Sequence, residues 1–111
     1  MVDSNKNGEK ERIEYISKIF YSVSNLKRFK IVLELKKGPK NVKQLEDLTE
    51  SYQGALSRSL KILRMADIVY CEKYYKDARK NYYGLTEKFL NDPISKLILE
   101  DFPKIEFRRY S

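Results

Sequence analysis

From Glu9 onward, apolar residues return at three- and four-residue spacings: Ile13, Ile16, Ile19, Phe20 and Val23 form one stripe, while Lys10, Glu11, Glu14 and Lys18 fall elsewhere around the wheel. This period predicts a first helix from Glu9 to about Ser24. Residues 1–8 are polar, include Gly8 and several turn formers, and offer nothing to bury, so a disordered N-terminal tail is expected there. Asn25 suits the N-cap of a second helix in which Leu26, Phe29, Val32, Leu33 and Leu35 face inward, stopped by Gly38-Pro39. Asn41 can cap a short third helix carrying Val42, Leu45 and Leu48. Thr49-Glu50-Ser51 then breaks the period before a fourth helix from Tyr52 to Met65. The result is helix, turn, helix at short range.

The pattern changes at Ile68. Ile68-Val69-Tyr70-Cys71 and Asn81-Tyr82-Tyr83 are rich in strand formers and flank the polar tip Lys76-Asp77-Ala78-Arg79, which predicts a β-hairpin. Thr86 can cap a short helix, and Asp92-Pro93 can open another with Ile94, Leu97 and Ile98 inward, ended by Pro103. The expected architecture is mainly α with a small β-hairpin wing, one domain over residues 9–103, followed by a C-terminal tail over 104–111.

Composition changes the picture chiefly through charge. The chain has 111 residues, 41% of them apolar, enough to bury one core without metal or disulfide staples. Its 23 Lys and Arg against 16 Asp and Glu give +7, which favours polyanionic partners. There is no His, which removes Ser/His/Asp and Cys/His catalysis and every His-ligated metal site. The single Cys71 can form neither an intrachain disulfide nor a Cys-rich zinc site, and reads as a strand thiol. No paired carboxylate, phosphate-cradling Gly loop or activated nucleophile is discernible, so neither an enzyme nor a cofactor is expected. No apolar run approaches the ~18 to 20 residues of a membrane span, and residues 1–8 lack the apolar stretch of a signal peptide, so a cytoplasmic protein without a membrane partner is expected.

On a wheel of the fourth helix, Leu56, Leu60 and Leu63 share one side, with Gly54, Arg58, Lys61 and Met65 roughly opposite and Ser57 and Arg64 flanking. Between Ser51 and Arg64 there are three basic residues and no acidic one. A major groove accepts such a helix, because an acid would repel phosphates whereas Arg, Lys, Ser and Gln bond phosphates or base edges. Any single basic residue on an exposed helix is ordinarily just solvated. The case rests on the combination of the helical pair, the acid-free second helix and a hairpin carrying Lys76, Arg79 and Lys80. Gln53, Gly54, Ser57, Arg58 and Lys61 are the candidates for the major groove. Tyr52 and Gln53 stand at the helix start, where free N–H groups favour a phosphate, and Lys76, Arg79 and Lys80 would reach the adjacent backbone or minor groove. Tyr74, Tyr75, Tyr82 and Tyr83 could stack on unpaired bases, but aromatic cross-strand pairs stabilise hairpins by themselves, and that role is the expected one.

Between Ile19 and Leu90 the chain resembles the ArsR-like group of winged helix-turn-helix transcription regulators. Leu56-Ser57-Arg58-Ser59-Leu60-Lys61-Ile62-Leu63-Arg64 looks like that family's recognition helix, Ala66-Asp67-Ile68-Val69 like its helix-to-wing junction and Asn81-Tyr82-Tyr83-Gly84-Leu85-Thr86 like the segment closing the wing. Arg28 to Leu35 resembles its second helix. MarR-like regulators and an archaeal winged-helix group share much of this pattern. The turn Leu48-Thr49-Glu50-Ser51 lacks the usual Gly, and Val42 to Leu48 contains none of the Cys or His used by metal-sensing members, so no metal is expected.

The resemblance implies sequence-specific binding of double-stranded DNA by a homodimeric repressor, with helix 52–65 in the major groove and the wing 69–85 on backbone or minor groove. It further implies pairing of the first and C-terminal helices across a two-fold axis, for which Ile13, Ile16, Phe20, Ile94, Leu97 and Ile98 are the candidates. Burial of those residues within one subunit is the competing expectation. A winged-helix module used for protein contact is the alternative function. The residues point to no particular small-molecule effector.

Overall fold

A computed structural model describes residues 3–74, 76–77 and 80–105; Tyr75, Arg79 and residues 106–111 of the C-terminal tail lie outside the described residues. The first helix, α1, spans Asp3–Val23 and so begins ahead of the apolar stripe. Residues 3–8 have no apolar period to mark a helix and, Lys6 apart, are weak helix formers, so their helicity is propagated from the turns nucleated downstream, Gly8 costing about 1 kcal/mol relative to Ala. Asn25 caps α2 (Leu26–Lys36) by accepting a 3.1 Å hydrogen bond from the Arg28 N–H. Ile31, Val32 and Leu35 are its buried residues. Leu26, expected inward, is 81% exposed, because the first residue of the helix sits off the stripe that Ile31 completes.

After Gly38-Pro39 comes a two-residue strand, β1 (Lys40–Asn41), too short for any sequence period to reveal. Asn41 also caps α3 (Val42–Thr49) in a reciprocal box: its side chain accepts from the Gln44 N–H and the Gln44 side chain accepts from the Asn41 N–H, both at 2.9 Å. α3 buries Leu45 and Thr49, while Leu48 is 40% exposed. α4 spans Gln53–Met65. It ends in a Schellman turn, with Ile68 N–H donating to the Leu63 carbonyl and Asp67 N–H to Arg64, Asp67 in the left-handed region at φ 60°. Leu63 and Ile68, the two positions whose side chains commonly meet in such a turn, are both fully buried in the core.

β2 (Val69–Glu72) and β3 (Tyr82–Leu85) form the wing, and β1 adds to the far side of β3, giving an antiparallel sheet in the order β1-β3-β2. In this register Tyr70 faces Gly84 and Asn41 faces Tyr82. A Cβ on Gly84 would lie 2.5–2.6 Å from the Tyr70 ring and hydroxyl, so Gly84 is the space the ring occupies.

Thr86 caps α5 (Glu87–Leu90) by accepting from the Phe89 N–H. α6 (Ile94–Lys96) then widens into a π-helical stretch, Leu97–Asp101, and closes in a 3-10 turn, Phe102–Lys104. Pro103 therefore reshapes the helix before ending it. It has no N–H for the Leu99 carbonyl four residues back and its ring crowds that carbonyl. The chain responds by pairing Phe102 N–H with Leu97, while Lys36 Nζ donates to the Leu99 carbonyl at 3.4 Å. One core unites α1, α2, α3, α4, β2 and the C-terminal segment, with Ile19, Ile31, Leu45, Leu63, Phe89 and Ile98 all fully buried in it. Among the described residues no helix is long and apolar enough to cross a membrane.

Candidate nucleic-acid interface

The turn between α3 and α4 sets the angle at which α4 is presented. Where a Gly is usual, Glu50 takes the left-handed conformation at φ 52°, and its N–H reaches back to the Glu46 carbonyl. Thr49 Oγ1 donates to the Leu45 carbonyl at 2.6 Å and lies 3.0 Å from Ser51 Oγ. Lys27 Nζ, from the start of α2, donates to the carbonyls of Thr49 and Glu50 at 3.3 and 3.2 Å, satisfying groups that α3 leaves open at its C-terminus. Lys27 thus helps to position the turn. Only its place at the start of α2 hinted at this, since solvated lysines there look alike in sequence.

α4 divides as its wheel predicts. Leu56, Leu60 and Leu63 are buried, while Gln53, Gly54, Ser57, Arg58 and Lys61 are all exposed, and Met65 is 68% exposed. The N-cap residue Tyr52 makes no side-chain cap, so the first N–H groups of α4 have no side chain bonded across them from that position. Instead its ring lies back over Gly54, and its hydroxyl accepts a 3.2 Å hydrogen bond from Arg58 Nη2.

At the wing, Asn81 Oδ1 accepts from the Tyr74 N–H at 2.8 Å, and the turn bonds Asp77 N–H to Tyr74 and Lys80 N–H to Asp77 tighten the tip. Lys80 Nζ sits 5.7 Å from the centroid of the Tyr74 ring, so that ring is engaged within the wing. Tyr83, opposite Cys71, is half-buried, and burial pushes its hydroxyl pKa up. Lys76 is exposed at the tip, and Arg79 lies outside the described residues. A cleft of ≈ 570 Å³ between α3, the start of α4 and the wing is lined by Asn41, Glu46, Asp47, Gln53 and Lys80 among others, which places two candidate residues, Gln53 and Lys80, on one cavity. Among the described residues, no group of three or more acidic or Cys side chains could hold a metal ion.

The candidates for subunit pairing divide sharply. Ile13 is 59% exposed, Phe20 43% and Leu97 39%, with Ile16 half-buried. Ile94 and Ile98 are 5% and 0% exposed, so this chain's own core uses them, which corrects their assignment to an interface. They stand four residues apart on one face of the C-terminal segment, and Leu97 lies on another.

Residues 25–70, from the cap of α2 to the first wing strand, match the family model described as bacterial regulatory protein, arsR family. No curated protein matches the chain significantly. Among solved structures, the transcriptional repressor BigR from Xylella fastidiosa is 25% identical, with 83% of this chain and 91% of that one covered at a TM-score of 0.65. Reduced HlyU from Vibrio cholerae is 23% identical, covering 81% of this chain and 92% of that one at 0.67. The adhesin competence repressor AdcR from Streptococcus pyogenes is 23% identical, covering 86% and 73% at 0.58. The latter two likenesses are ones of fold.

Proposed function

We propose that the chain is an ArsR-like winged helix-turn-helix transcription regulator that represses by binding double-stranded DNA as a homodimer over a promoter. In this reading α4 enters the major groove, where Gln53, Ser57, Arg58 and Lys61 meet base edges or phosphates and the N–H groups at the start of the helix, beside Tyr52, meet a phosphate. Lys76, Arg79 and Lys80 reach the neighbouring backbone or minor groove. The observation that carries the reading is the division of α4, with one leucine face locked into the core and the opposite face exposed, basic and free of acids. Ile13, Phe20 and Leu97, with Ile16, supply the apolar surface for the two-fold contact. A two-fold pair would set its α4 helices about 34 Å apart and favour a near-palindromic site.

Duplex binding measured by fluorescence anisotropy at rising salt tests this. The affinity should fall with a log-log slope of about −0.9 per phosphate contact, several units in all. Failure to bind duplex at low salt would overturn the reading in favour of a module for protein contact.

A further inference from the structure

Resting on the reading of α4 as the groove-facing helix, we propose that Tyr52 is a positioning residue for Arg58, and that Gly54 is there to let it act. The three residues form one unit on the first turns of α4. Tyr52 is the N-cap, outside the helix proper, with extended backbone angles (φ −79°, ψ 159°). From there its ring folds back along the helix surface. A Cβ on Gly54 would stand 3.3 and 3.7 Å from two ring carbons and 3.9 Å from Arg58 Nη1, so the ring and the guanidinium both border the space that Gly54 leaves. The Tyr52 hydroxyl accepts from Arg58 Nη2 at 3.2 Å.

The chemistry explains why this arrangement bears on specificity. Arginine reads guanine with two parallel N–H groups, a geometry that tolerates little misalignment. On an exposed helix its long side chain samples many rotamers, and ordering it on binding weakens the complex. A tyrosine hydroxyl can hold one N–H of the guanidinium and leave four of its five donors for a base and a phosphate. Tyr is stiff, with two side-chain torsions, so it can act as a support. The partner is neutral, so the charge of Arg58 stays available for DNA, which a carboxylate in its place would cancel. Tyr52 itself is 68% exposed and contributes little to the core, which leaves its orientation on α4 without a packing explanation.

The test uses the full chain, a preferred duplex obtained by binding-site selection, and a panel with each base pair replaced in turn. Arg58→Ala identifies the base pair that Arg58 reads. Tyr52→Phe removes only the hydroxyl and should relax discrimination at that same base pair by about 3- to 10-fold, while affinity for non-specific duplex and the melting temperature stay unchanged. Tyr52→Phe combined with Arg58→Ala should relax it no further than Arg58→Ala alone. In the free protein, ¹⁵N relaxation of the Arg58 Nε–H should report an ordered side chain that becomes mobile in Tyr52→Phe. Equal mobility in both proteins, unchanged preference in Tyr52→Phe, or relaxation at a different base pair overturns the proposal while leaving the DNA-binding reading intact. Failure of the native chain to bind duplex at low salt is the separate outcome that removes that reading, and the proposal with it.

Discussion

Arg12 and Asp92 form a two-pronged ion pair across most of the chain, Nη1 on Oδ2 and Nη2 on Oδ1, the latter at 2.9 Å. It fastens the middle of α1 to the corner between α5 and α6. Asp92 Oδ1 also accepts from the Ile94 N–H at 2.9 Å, so one carboxylate both caps the C-terminal segment and anchors the first helix.

The hydrogen bond from Arg12 is the main reason that the Asp92 pKa lies below its ordinary value. A carboxylate with a depressed folded-state pKa stabilises above its unfolded pKa, and the contribution disappears as pH falls through the folded value. Asp92→Asn keeps an oxygen for the Ile94 N–H but loses the charge. Its melting temperature should be lower than that of the native chain at neutral pH, and the gap should close below about pH 4. A gap that persists into acid would show that the cap, not the ion pair, is the stabilising contact.

Glu50→Gly should raise stability by about 0.5–1 kcal/mol. A non-Gly residue in the left-handed region costs roughly 1–2 kcal/mol, and the entropy that Gly adds to the unfolded chain returns part of that gain. The carbonyl that Lys27 caps is unchanged by the substitution. Urea denaturation measures the effect, and a fall in the midpoint would mean that the Glu50 side chain itself stabilises the turn.

Gly84→Ala should destabilise by about 1–3 kcal/mol, because the new methyl displaces the Tyr70 ring that faces it. Made in a Tyr70→Ala background, the same change should cost much less. Additive losses in the two variants would place the clash on the backbone instead.

Charge on neighbouring residues of the C-terminal segment should give opposite outcomes. Ile98 is fully buried, so Ile98→Asp places an unpaired carboxylate in the core and should unfold the chain. Leu97, 39% exposed, should tolerate Asp in a folded protein while the proposed two-fold pair dissociates. Circular dichroism and sedimentation together read both, and a Leu97→Asp dimer of native mass would move the contact to another surface.

Much of this was legible along the chain because the relevant signals are periodic or local. Leu56, Leu60 and Leu63 announced the buried side of α4, and Asn25, Asn41 and Thr86 announced three helix starts. What stayed hidden has no period. β1 is defined only by its partner strand, the polar start of α1 carries no apolar mark, and the π-helical stretch follows from a clash between Pro103 and a carbonyl four residues earlier. Ile94 and Ile98 look the same in sequence whether they serve their own core or a second copy. At the candidate interface the helix face was legible and the Tyr52–Arg58 hydrogen bond was not. Residues six apart do not adjoin on a helix, and these meet only because Tyr52 stands just outside α4.

Asn41 belongs to two elements at once, its backbone paired with Tyr82 in the sheet and its side chain closing the first turn of α3. The hairpin and α3 are consequently joined at this residue by backbone and side chain together, in addition to the core they share. A torque applied at the wing tip would be transmitted to the base of α3, so on the proposed reading of wing and α4 as DNA contacts the two would shift on a duplex together.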